Sequence, residues 1–324
     1  MTKSKIIAST AIATVMSASA AQAEISISGG MAGWFITGDS MTSVSRQWNT
    51  ESVNVTYSDT LDNGMGISVT ANVGETGNIH RSFHANSTDD VNYTMSISSD
   101  MGTISFGDQI ASATDRADNI VSLSLFECCT WSATLMDGMG GTNGEYHDGD
   151  NMSGAANEGF EYTAPSMNGW TLRLSHMPTA DRASEGAEDS NQASLSGSLA
   201  GISVAAGINS MGDAATGTAG RDSTFVAASM GLGPMSVSVG MFEGGAAAAD
   251  ATTVVVDMPI MGMSGKAAFV DMDDSGGYDD SGYRLGLAKS LGAATFGIEY
   301  DNADTASGDA GEIETWRLGY QVYF

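Results

Sequence analysis

The chain has 324 residues, rich in Gly (41) and poor in Pro (4), with a mean hydropathy of -0.06. Its 39 acidic and 12 basic residues give a formal net charge of -27 at pH 7, which argues against a nucleic-acid partner because one polyanion repels another. Beyond the N-terminus no apolar run reaches the roughly 18 residues a membrane helix needs, so any span must be a closed barrel that pairs its own backbone.

Residues 1–23 are predicted to be a cleaved secretory signal. Lys3 and Lys5 supply the positive start, 6–18 the weakly apolar middle, and Ala21-Gln22-Ala23 the small-x-small cleavage site. The remainder, 24–324, shows no Pro-rich linker or compositional break and reads as one domain.

From Glu24 onward, alternating apolar and polar segments recur between turn signals. The first covers 24–36, with Ile25 and Ile27 on one face and a predicted bulge at Gly29-Gly30. Val53, Val55 and Tyr57 mark the second, and Asp62-Asn63-Gly64 turns into the third. There Ile67, Val69, Ala71 and Val73 alternate with Ser68, Thr70 and Asn72. Val91, Tyr93, Met95 and Ile97 give the fourth, and Asp100-Met101-Gly102 turns into the fifth, 103–108. A long stretch, 109–157, then loses the period. Segments six and seven are 158–164 and the run from Trp170 through Leu172 and Leu174. The next are 191–199, 201–209, 223–230, 235–242, 252–259, 263–270, 282–290 and 293–301. The last, 312–324, places Trp316, Leu318, Tyr320, Val322 and Phe324 on one face and Arg317, Gly319 and Gln321 on the other.

These sixteen segments are joined alternately by short turns and by longer acidic or Gly-rich loops. The predicted fold is therefore all-β, a 16-stranded antiparallel transmembrane β-barrel with short periplasmic turns and long external loops. An even strand count puts both termini at the periplasmic end, and a barrel this wide encloses water rather than a filled core.

Parity assigns the basic residues. Arg173, Arg284 and Arg317 fall between outward apolar residues and are predicted to line the lumen, and Arg46, just before the second strand, has the same parity. A charge facing lipid at mid-depth costs about 2–4 kcal/mol, which supports that assignment. Asp271, Asp273, Ser275 and Gly276 match the start of a calcium loop, yet Gly282 stands where the closing Glu belongs. Asp271, Asp273 and Asp274 are thus candidates for loosely bound calcium rather than an EF-hand, and no other cofactor is expected. Cys128 and Cys129 are adjacent in the aperiodic stretch, where a vicinal disulfide is strained; pairing between chains is the other option. No His-Glu-x-x-His, Gly-x-Ser-x-Gly or phosphate-loop pattern occurs, so no enzyme is predicted.

The run Met101-Gly102-Thr103-Ile104-Ser105-Phe106-Gly107-Asp108-Gln109-Ile110-Ala111-Ser112-Ala113 resembles the fifth strand of the general diffusion porins of alphaproteobacteria as it enters their third loop. The final Gly319-Tyr320-Gln321-Val322-Tyr323-Phe324 is similar in pattern to their closing strand. The resemblance implies a homotrimer in the outer membrane of a Gram-negative bacterium, among lipopolysaccharide, assembled through the C-terminal strand by the barrel-assembly machinery. It implies that 109–157 folds inward as a constriction loop, presenting Asp115, Arg116, Asp118 and Glu127. The implied function is passive diffusion of small hydrophilic solutes and ions. Where the family sets a basic cluster against the loop acids, this chain has few basic residues, which favours a cation preference. Two other readings stay open: a substrate-specific channel for a sugar or organic acid, and a calcium-dependent adhesin that is not a channel.

Overall fold

The computed structural model describes residues 23–38, 46–73, 91–110, 113, 120, 121, 125, 157–178, 190–211, 222–243, 250–273, 279–305 and 311–324. Sixteen strands follow one another: β1 (Glu24–Gly38), β2 (Arg46–Thr60), β3 (Gly66–Val73), β4 (Val91–Ser99), β5 (Gly102–Ile110), β6 (Asn157–Thr163), β7 (Thr171–Met177) and β8 (Ser190–Leu199). They continue as β9 (Ile202–Met211), β10 (Asp222–Leu232), β11 (Met235–Glu243), β12 (Asp250–Ile260), β13 (Met263–Asp273), β14 (Asp279–Leu291), β15 (Ala294–Thr305) and β16 (Gly311–Tyr323). Each pairs with its sequence neighbour, and β1 pairs with β16 to close the barrel. Closure leaves no unpaired edge, the condition for crossing lipid with strands.

The chain terminus takes part in that closure. The N–H of Gly29 donates to the carbonyl of Phe324 at 2.9 Å, and the N–H of Phe324 donates back to Gly29 at 2.9 Å. Register then runs from Gly30 opposite Tyr323 to Gly38 opposite Thr315. The bulge predicted at Gly29-Gly30 is absent, since β1 pairs with β2 without interruption there. Gly30 answers a close approach instead: a Cβ on it would lie 2.7 Å from Cδ1 of Tyr323. The register irregularity lies between Gly107 and Ile110, where β5 meets β6.

Short turns gather at one end of the barrel. Ala200-Gly201 and Met261-Gly262 take positive φ at both residues (53° and 84°, 52° and 75°), the conformation of two-residue hairpins that follow strand twist. At the long-loop end the strands run further than their apolar pattern. β13 reaches Asp273 instead of 270, β14 starts at Asp279 instead of 282, and β15 reaches Thr305 instead of 301. Arg46 opens β2 rather than preceding it. Hydrophobic alternation stops where lipid stops, while ladder hydrogen bonds continue into water.

The outward face of the closing hairpin shows how the wall meets lipid. Phe296 pairs with Tyr320, Ile298 with Leu318, and Tyr300 with Trp316, a continuous apolar face of the kind a barrel wall turns to lipid. Tyr300 packs 4.7 Å from Trp316 and 6.0 Å from Tyr283, centroid to centroid. Among the described residues no helix is long and apolar enough to cross a membrane. The predicted signal, apart from Ala23, lies outside the described residues, and β1 begins at Glu24, directly after the predicted cleavage point.

Candidate functional site: the barrel interior

Because side chains alternate across a strand, register sorts the even residues of β2, β3, β4 and β14 and the odd residues of β5, β15 and β16 onto one inward face. Arg284 of β14 pairs with Asp301 of β15, and Glu299 of β15 pairs with Arg317 of β16. Their neighbours Leu285, Ile298, Trp316 and Leu318 point outward and are exposed. Arg284 and Arg317, expected from parity on the lumen side, are buried on the face opposite these exposed residues.

These four charges form one network. Arg284 Nε donates to Asp301 Oδ1 at 2.5 Å, and Arg317 Nη2 donates to Asp301 Oδ2 at 2.8 Å. Arg317 Nη1 also lies 3.6 Å from Glu299 Oε2. Arg284 is 0% exposed, Glu299 1%, Asp301 2% and Arg317 3%. Two cations and two anions cancel, so the cluster presents little net charge, and each carboxylate holds a guanidinium whose burial alone would be costly.

The network also reaches the stretch that follows β5. The N–H of Leu125 donates to Glu299 Oε1 at 2.7 Å. Ala113 is fixed on the other side of the barrel: its N–H donates to Ser175 Oγ at 2.9 Å, and Ser194 Oγ donates to its carbonyl. Between them, Ile120 and Val121, together with Phe242 of β11, pack on Ala205 of β9 and Phe225 and Ala227 of β10. Phe225 and Phe242 pair across β10 and β11. The four described residues of this stretch thus all touch the wall's inward face, from β7 round to β15. Gly286 allows one of these contacts, since a Cβ there would meet Leu125 Cδ1 at 2.6 Å. Asp115, Arg116, Asp118, Glu127, Cys128 and Cys129 lie outside the described residues.

Arg173 sits apart from this network, on β7. It shares the inward face with Ser194 by register and donates from Nη1 to Ser196 Oγ at 3.0 Å. Arg46 pairs with Ile36 at the long-loop end of β2, and its side chain lies outside the description. Lys266 of β13 pairs with Asp257 of β12 at 3.0 Å. Asp271 is exposed; Asp273 is described only as backbone, and Asp274 lies outside the described residues. Among the described residues no group of three or more His, Cys, Asp or Glu is placed to hold a metal.

The wall from β2 to β5 is different in kind. Its inward side chains form rows across the strands. Thr56, Thr70 and Thr94 stand in one row, and Ser58, Ser68, Ser96 and Ser105 in the next. Asn54 and Asn72 stand above the threonines. Neighbours in a row bond to each other: Asn72 Nδ2 donates to Asn54 Oδ1 at 2.8 Å, Thr56 and Thr70 hydroxyls meet at 2.9 Å, and those of Ser96 and Ser105 at 2.7 Å. Among the inward residues of this wall whose side chains are described, none is charged; Arg46, at the long-loop end of β2, shares the inward parity but its side chain is not described. All these side chains keep partial exposure, whereas the charged network is buried.

The sequence missed two parts of this interior: the Phe225 patch, and the match of like residues along the rows. On β10 both faces carry apolar side chains, Phe225 and Ala227 inward against Val226 and Ala228 outward, so alternation could not flag Phe225.

Comparison with known proteins agrees with this architecture. A family model described as "Gram-negative porin" matches residues 8–322. Among solved structures, a mutant of Rh. blastica porin is similar with a TM-score of 0.68 at 17% identity, covering 93% of this chain and 100% of that one. A triple mutant of Rhodopseudomonas blastica porin is similar with a TM-score of 0.62 at 17% identity and the same coverage. At that identity the likeness speaks to the fold alone. Among curated protein sequences, none matches by direct comparison.

Proposed function

The chain belongs to the Gram-negative porin family and is an outer-membrane channel, and from that premise we propose a passive diffusion pore for small hydrophilic solutes and ions, narrowed by the stretch after β5. The observation that carries this reading is the attachment of that stretch to the inside of the wall, at Ala113, at Ile120 and Val121, and at Leu125. A 16-stranded barrel is wide enough for an aqueous channel, and a segment laid against its inner face takes up part of that width. Size exclusion then follows from geometry, with no substrate-driven conformational step.

The proposed cation preference rests on the acidic excess of the chain and on Asp115, Asp118 and Glu127 in the same stretch, with Arg116 among them. A focused negative potential concentrates cations. Arg284 and Arg317 oppose it little, because Asp301 and Glu299 already neutralise them. The proposed assembly is a homotrimer set among lipopolysaccharide, inserted by way of the strand that ends at Phe324.

The test is single-channel recording of the refolded chain 24–324 in a planar bilayer under a KCl gradient. Conductance steps grouped in threes and a reversal potential of cationic sign are expected. Folded protein that inserts without conducting would overturn the pore, and an anionic reversal potential would overturn the charge assignment.

A further inference from the structure

The inward wall of β2 to β5 raises a question the charged network does not answer: which surface a permeating solute meets. Two observations bear on it. The charged inward side chains of β14 to β16 and Thr315 between them are buried, while Thr56, Thr70 and Ser96 remain partly open. Water inside the barrel therefore reaches the hydroxyl wall and is kept from the ionic one. Secondly, that wall is a regular grid. Strands lie about 4.8 Å apart and successive inward residues about 6.8 Å apart along a strand, so hydroxyls and amides repeat in two directions along the wall.

We infer that the solute path runs along the hydroxyl and amide grid of β2 to β5, and that this grid makes the pore favour uncharged polyhydroxylated solutes over their carboxylated counterparts. The inference rests on the channel reading above and specifies its solute class. Its chemistry is simple. A hydroxyl that donates to its row neighbour still accepts, and the neighbour still has its own proton to give. The Thr56–Thr70 and Ser96–Ser105 pairs thus stay available on both counts while being held in place by each other. A neutral polyol can exchange its hydrogen bonds with water for equivalent ones along the wall, and it has no charge to lose. A carboxylate finds no cation among the described side chains of the grid and meets the acidic field of the chain.

The test uses the refolded chain in two formats. In planar bilayers, Thr70→Lys and Thr70→Asp each place one charge on the grid. Reversal potentials under a KCl gradient are expected to move in opposite directions, toward anions for the first and toward cations for the second. Reversal potentials unchanged by both, in channels that still conduct, would overturn the path. In vesicle swelling, an uncharged hexose is expected to enter faster than the hexuronate of the same size. The triple variant Thr56→Val, Thr70→Val, Ser96→Ala keeps size and adds no charge, so it guards against misfolding of the charged variants. It should slow hexose entry at least about threefold relative to KCl conductance, the scale of one ordinary net hydrogen bond. Equal entry of hexose and hexuronate, or hexose entry that falls only in step with conductance, would overturn the preference. Absence of any conductance in the unsubstituted chain would overturn the pore itself, a failure distinct from that of the grid.

Discussion

Two walls flank β1 inside the same barrel, and they solve the problem of a polar interior in opposite ways. On β14 to β16 the chain uses full charges, buried and cross-linked through Asp301, and hangs Leu125 on the second carboxylate, Glu299. On β2 to β5 it uses small neutral groups that satisfy one another within rows and stay wet. The ionic wall is structural: its charges are spent on each other and on the stretch after β5. The neutral wall is left to the contents of the channel. A lumen-facing position is thus not by itself a pore-lining one, because a segment docked inside the barrel can cover it.

Substitutions can break this contrast. The largest effect is expected from Asp301→Asn, which leaves Arg284 and Arg317 buried without their shared anion. Breaking a buried pair of this kind costs about 3–5 kcal/mol, so the unfolding transition in detergent, followed by far-ultraviolet circular dichroism, should move to clearly lower temperature. An unchanged transition would mean that water or another group reaches the guanidinium pair and that the wall is not sealed.

A smaller and more specific effect is expected at Glu299. Glu299→Ala removes the acceptor for the Leu125 N–H, whereas Glu299→Gln retains an oxygen there. Open-channel current noise should rise in the first and much less in the second, as the docked stretch loosens. Equal noise in both would assign the role of Glu299 to Arg317 alone. The mildest change is Gly286→Ala, whose added Cβ would press on Leu125 Cδ1 from 2.6 Å. The far end of a Leu side chain can turn away, so stability should change by about 1 kcal/mol or less, with a small shift in unitary conductance. A large loss of stability would show that the fit at Leu125 is rigid.

Much of this was legible beforehand, and the reasons differ by residue. Val53, Val55 and Tyr57 declared a strand because period two is a local property of extended backbone. Arg284 and Arg317 declared their side by the same parity. Their partnership did not show, because Asp301 reaches Arg284 and Arg317 only through the register of two different hairpins. Strand ends were read short at Asp273 and Thr305, since pairing outlasts hydrophobicity beyond the bilayer. The bulge expected at Gly29-Gly30 was a misassigned cause: a glycine that yields to a ring, Tyr323, looks in sequence like one that breaks a ladder. Ser68, Thr70 and Asn72 were visible as a polar face. That each stands beside a residue of its own kind on β2 emerged only from the pairing.

By itself the sequence determined the number of strands, most of the turns between them, the apolar and polar faces wherever the two alternate, and the aromatic closing strand. Each of these depends on neighbours within a few residues, through backbone geometry and the preference of apolar groups for lipid. The tertiary structure alone decided which inward residues are covered and which are wet. That choice depends on how sixteen strands align on closure and on where Ala113, Val121 and Leu125 meet the wall, contacts separated by up to 174 residues between Leu125 and Glu299. No local pattern encodes a distance of that kind; it is set by the stagger of the whole barrel.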